Sequence, residues 1–176
     1  MNIGATAAQT PLKIIQPILD AASLEDDSDL QDIWANILAN ATDSRNITPV
    51  GPMFASILRS LGAREVGFLD ALYTNALDKA EGHPFFNDAS RMPYQIAELQ
   101  ETYARLGIVQ EGGEQDGDNR FWLMLDIIQS YELLRVVYMS PLQAGQPSSE
   151  GIIRKFHLTD LGAAFVKACR VSASNL

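Results

Sequence analysis

Leu158-Thr-Asp-Leu-Gly-Ala-Ala-Phe-Val-Lys-Ala-Cys169 is the stretch on which the fold of this 176-residue chain turns. The run Ile152-Ile-Arg-Lys-Phe-His-Leu158 reads as a strand that ends at Leu158. Thr159 follows as a helix N-cap, with a hydroxyl that accepts from a backbone N–H of the first turn. Leu161, Phe165 and Cys169 then fall at i, i+4 and i+8, so one face of a closing helix is apolar and carries the lone thiol inward. A cysteine so placed is a core side chain rather than an activated nucleophile.

Working outward, a second segment is as regular. In Leu30-Gln-Asp-Ile-Trp-Ala-Asn-Ile-Leu-Ala-Asn-Ala41 the residues Leu30, Ile33, Trp34, Ile37, Leu38 and Ala41 recur on one helical face. Ser28 and Gln31 have the spacing of a capping box. Trp34 is read as core rather than as a partner anchor. Ahead of it, Thr10 and Pro11 suit the cap and first residue of a short helix containing Leu12, Ile15, Ile18 and Leu19. Beyond the polar loop Ala41–Thr48, the residues Met53, Phe54, Ile57, Leu58 and Leu61 mark a third helix that Gly62 stops in a left-handed cap. Val66, Leu69, Leu72, Tyr73, Ala76 and Leu77 continue a fourth. Residues 1–9 are expected to be a flexible tail and 10–80 a helical subdomain, ending at the turn-rich Glu81–Asp88.

After Pro93 a helix through Ile96, Leu99, Tyr103 and Leu106 meets Gly107 and a short strand, Ile108-Val109. Glu111–Asn119 is expected to be a hairpin tip turning at Asp116-Gly117. Its acids lack the order of an EF-hand, with glycine sixth and glutamate twelfth, so no calcium loop is assigned. Within 121–139, Phe121–Leu125 is compatible with a strand, while Ile127, Ile128, Tyr131 and Leu134 have helical spacing. The expectation is a helix inserted between two wing strands. Pro141–Gly151 reads as a mobile loop. The predicted fold is mainly α (α+β): an N-terminal helical bundle packed on a C-terminal winged-helix-like unit, residues 84–170, with a small antiparallel sheet and a tail at 171–176.

A formal charge of −9 opposes general nucleic-acid binding, which draws its affinity from Lys and Arg neutralising phosphates. Between Lys13 and Arg45 there is no basic residue, while Asp20, Glu25, Asp26, Asp27, Asp29, Asp32 and Asp43 crowd the same stretch. They are read as solvated acids that offset a helix macrodipole, with an acidic binding patch as the sharper alternative. Positive charge gathers only at Arg154, Lys155, Lys167 and Arg170, the candidate partner-binding residues. Arg154 and Lys155, adjacent on a strand, point to opposite faces. The longest apolar run, Phe121–Leu125, is far below the ~20 residues that span a bilayer, and residues 1–20 lack a signal-peptide pattern, so a cytoplasmic protein is expected. No catalytic residue, cofactor or metal ligand is assigned. His83 and His157 are far apart, and no nucleophile elbow, phosphate loop or His-Glu-x-x-His occurs.

The capped Leu-Gln-x-x-Trp-Ala-x-x-Leu-Ala-x-Ala pattern at 30–41, Phe-x-x-Ile-Leu-x-x-Leu at 54–61, Leu106-Gly-Ile-Val109 and Leu158-Thr-x-x-Gly-x-x-Phe-x-x-Ala-Cys169 together resemble the bacterial Abi-alpha, or abortive infection alpha, family. The resemblance covers roughly residues 11–170. It implies a role in phage defence without an established enzymatic activity. The function expected is a non-enzymatic protein-interaction or sensing module whose partner is a phage or host protein. The C-terminal residues also resemble winged-helix modules of multiple-antibiotic-resistance-type regulators. A DNA-binding regulator is therefore one alternative, although the corresponding reading helix, Tyr94–Leu106, offers Glu98 and Glu101 against Arg105. An enzyme with an unrecognised site is the other.

Overall fold

Seven helices and one antiparallel strand pair make up the regular structure of the residues described by the computed structural model, namely 11–43, 50–81, 92–107, 114–139 and 153–171. They are α1 (Leu12–Ala22), α2 (Ser28–Thr42), α3 (Pro52–Ser60), α4 (Ala63–Ala80), α5 (Ile96–Arg105), α6 (Glu114–Ser130), β1 (Leu134–Met139), β2 (Ile153–Leu158) and α7 (Asp160–Cys169). A mainly helical chain with a small antiparallel sheet is thus what the sequence forms. The expected tails, the strand Ile108-Val109, His83 and the loop Pro141–Gly151 lie outside the described residues, apart from Val171.

Two compact units are present, one from 1–63 with 164–176 and the other from 64–163. In the first, α2 turns Leu30, Trp34 and Ile37 inward, and Trp34 is 2% exposed. The helix starts one residue earlier than the capping box implied. Asp27, not Ser28, is the N-cap, and its carboxylate accepts from the backbone N–H groups of Asp29 (2.9 Å) and Leu30 (3.1 Å). A charged acceptor suits the positive end of a helix better than a hydroxyl does. Likewise Pro11 occupies the N-cap of α1 rather than its first helical position, and Thr10 is not described. Gly62 makes no left-handed cap. Instead α3 stops because Leu61 becomes extended (φ −105°, ψ 143°), buries its side chain, and lets α4 begin at Ala63. Phe54 meets Phe165 edge to face at 5.7 Å, joining α3 to the later part of α7.

In the second unit, Phe121, Met124, Leu125 and Ile128 follow the i, i+3, i+4, i+7 rule on α6 and are all buried. This stripe overturns the hairpin tip: residues 114–119 are the opening turns of α6. A helix already anchored by a buried face gains one hydrogen bond per added residue, and this outweighs the turn preference of Asp116-Gly117. Phe68, Tyr103 and Phe121 form an edge-to-face series at 6.5 and 5.3 Å. β1 and β2 pair from Leu134 opposite Leu158 to Met139 opposite Ile153. Leu134, Leu158 and Phe156 are buried on one side of the ribbon. Tyr94 adds an antiparallel bridge to Phe156, through N–H···O bonds of 2.6 and 2.9 Å.

Candidate functional site

The motif at 158–162 builds its own surroundings. α6 ends in a Schellman closure, in which Leu133 N–H reaches Ile128 C=O (3.2 Å) and Glu132 N–H reaches Gln129 C=O (2.9 Å). Glu132 takes the left-handed position of that closure, at φ 56°, where glycine is usual. Its carbonyl then accepts from the Thr159 hydroxyl at 2.5 Å, while the Thr159 N–H bonds Leu133 C=O at 3.1 Å. The same hydroxyl accepts from Gly162 N–H at 2.9 Å, as the N-cap reading requires. Gly162 is dictated by sterics, because a Cβ there would lie 2.1 Å from the Leu133 carbonyl oxygen. Glu132, Arg135, His157, Leu158, Thr159, Asp160 and Leu161 line a cleft of about 330 Å³ beside this cap. His157 Nδ1 lies 3.0 Å from the Leu158 carbonyl, to which it donates. Thr159 is committed to backbone bonds, so the cleft offers charged walls of both signs rather than an activated nucleophile.

A second polar group sits where α4, Tyr94 and α5 meet. Gln95 caps α5, and Glu98 reaches back to the Gln95 N–H at 2.7 Å in a capping box. Glu98 also pairs with Lys79 of α4, whose ammonium stands 4.9 Å from the centre of the Tyr94 ring. Burial alone would push the Glu98 carboxyl up. The hydrogen bonds from Lys79 and the Gln95 backbone, with the charges of Lys79 and Lys155, outweigh it and hold the group below its usual range. Burial, reinforced by the Glu98 charge, pushes the Tyr94 phenol far above its usual range, and the phenol donates to the Leu72 carbonyl. Beside them Asn75, Tyr94, Glu98, Glu101, Thr102 and Arg105 line a cleft of about 160 Å³, in which the Asn75 carbonyl oxygen is buried with no hydrogen-bond partner. Glu98 thus both caps α5 and ties it to α4 through Lys79.

The four basic residues divide between the units: Arg154 and Lys155 fall in 64–163, Lys167 and Arg170 in the other. The Arg154 guanidinium lies 5.9 Å from the Tyr138 ring, its cross-strand partner. Lys155 contributes its charge to Glu98. Lys167 is exposed on α7. Among the described residues no group of three or more His, Cys, Asp or Glu is placed to hold a metal ion, and no helix is long and apolar enough to cross a membrane.

Some polar residues carry roles that periodicity does not reveal. Asn36 and Asn40, one turn apart on α2, donate to the terminal carbonyls of α7: Asn36 to Cys169 (3.0 Å), Asn40 to Ala168 (2.9 Å) and Arg170 (2.8 Å). These are carbonyls that a helix end leaves without internal partners. The i, i+4 repeat of asparagine along the edge of the apolar stripe is the available signal. Glu25 accepts from the Trp34 indole N–H at 3.4 Å, so one of the crowded acids serves the core.

What stays on the surface is more suggestive. Exposed positions of α1 recur at 12, 13, 16, 19 and 20, and two of them are leucines. Leu12 is 76% exposed, Leu19 48%, and Leu24 just past the helix 79%. On α6, Trp122 and Leu123 are also exposed. Comparison with known proteins gives one family: the sequence model described as Abortive infection alpha matches residues 3–169. No curated protein and no solved structure matches the chain.

Proposed function

Because the chain belongs to the abortive infection alpha family, we propose that it works in abortive-infection defence as a cytoplasmic, non-enzymatic protein-interaction or sensing module. The observation that carries this reading is the outward face of α1, where Leu12 and Leu19 lie seven residues apart and face solvent. Seven residues return to nearly the same side of a helix, which is the repeat used when one helix packs on another. Covering such a side chain contributes roughly 1.5 to 3 kcal/mol, so a few leucines supply a useful share of a micromolar affinity. The polar groups support the same reading from the other direction: Thr159, Glu98, Tyr94, Asn36 and Asn40 are engaged in holding helices in place.

A photo-crosslinking side chain placed at Gln16, exposed between the two leucines, tests the proposal in infected cells. It is expected to trap a defined protein partner. Protected cells in which the Gln16 probe traps no protein would contradict the reading.

A further inference from the structure

The outward face of α1 is followed in the chain by a run of exposed acids, and the combination points to the chemistry of what binds it. Leu12 and Leu19 share one side of α1, with the partly exposed Ile15 between them, and Leu24 follows in the turn. Asp20 lies beside Leu19 on the helix, and Asp26, Asp27, Asp29 and Asp32 are all exposed along the turn and the start of α2. Helix capping accounts for Asp27 and the indole bond for Glu25. Asp20, Asp26, Asp29 and Asp32 are more charge than one helix terminus calls for, and no lysine or arginine follows Lys13 until Arg45.

Resting on the interaction reading above, we propose that this face docks a basic amphipathic helix of another protein, with apolar residues at i, i+3 and i+7 against Leu12, Ile15 and Leu19 and with lysines or arginines against the aspartates. Helix-on-helix docking uses that apolar spacing, and opposite charge along the rim steers encounter and fixes register. A second copy of this chain is disfavoured, because it would bring the same aspartates face to face in a protein already at −9. An anionic membrane is disfavoured for the same reason.

The test uses the full chain and a fluorescent synthetic helix with leucines at i, i+3 and i+7 flanked by lysines. Three control peptides carry glutamates for the lysines, the same residues in scrambled order, or the same lysines with serines for the leucines. The lysine–leucine helix is expected to bind at micromolar concentration and to weaken about tenfold or more between roughly 50 and 300 mM salt. It should weaken at least tenfold when Asp20, Asp26, Asp29 and Asp32 are changed to Asn, and at least tenfold in Leu12→Ser/Leu19→Ser. Equal binding of the scrambled or glutamate peptide would overturn the proposal, as would binding indifferent to either set of substitutions. So would a dimer, or vesicle binding, that Leu12→Ser/Leu19→Ser abolishes. A protein trapped at Gln16 in cells, together with no binding of the lysine–leucine helix, would overturn the basic partner while leaving the interaction reading in place. Failure at both would remove both.

Discussion

α1 and α2 lie in the same unit and both carry apolar stripes, yet they use them differently. On α2, Leu30, Trp34 and Ile37 are all buried; on α1, Ile18 and Ala21 are buried while Leu12 and Leu19 remain in solvent. Hydrophobic period shows which side of a helix is apolar. It does not show whether the chain itself supplies the cover. Leu30, Trp34 and Ile37 are covered by the folded chain, so these residues are explained by folding. Leu12 and Leu19 are left uncovered among the described residues, so packing does not explain an apolar side chain at either position.

The contrast can be broken at the buried side first. Trp34→Ala is expected to cost about 3 to 5 kcal/mol, as truncations of buried aromatics do, measured by chemical denaturation. A loss below about 1 kcal/mol would mean that the α2 face is not core. Next, Gly162→Ala sharpens the idea of a fit made by backbone alone, since the added methyl meets the Leu133 carbonyl at 2.1 Å. The expected loss is about 3 kcal/mol, from overpacking against atoms that cannot turn aside. A stable Ala variant with an unshifted midpoint would show that the cap has room.

Asn40→Ala leaves the Ala168 and Arg170 carbonyls without that donor, and about 1 to 3 kcal/mol is expected in the same assay. A change within error would show that these bonds are dispensable. The smallest effect belongs to the outward face: Leu12→Ser with Leu19→Ser should change stability by no more than about 0.5 kcal/mol per site. A large loss there would mean that α1 buries these leucines in solution, and the contrast with α2 would vanish.

Much of this fold was legible. The Thr159 cap, the helix after it, the α2 face and the stop at Gly107, which is left-handed at φ 64°, follow from local chemistry visible in the sequence. The illegible parts have identifiable causes. Asp27 and Ser28 are neighbouring cap residues of similar preference, and only the geometry of the turn chooses between them. The glycine-rich acids before Phe121 look like a turn until the buried stripe at 121–128 extends the helix back through them. The Asn36 and Asn40 bonds join positions more than 120 residues apart in the chain, and no single-sequence pattern reports that separation. Helical spacing places Leu12 and Leu19 on an apolar face but carries no information on whether that face is covered.

The most direct measurement is phage plating on cells that express the wild-type chain or Leu12→Ser/Leu19→Ser at equal level, with the thermal midpoint of each purified protein taken alongside. The account expects the double variant to melt within a few degrees of wild type and to lose protection. A variant that is folded, equally abundant and fully protective would contradict it.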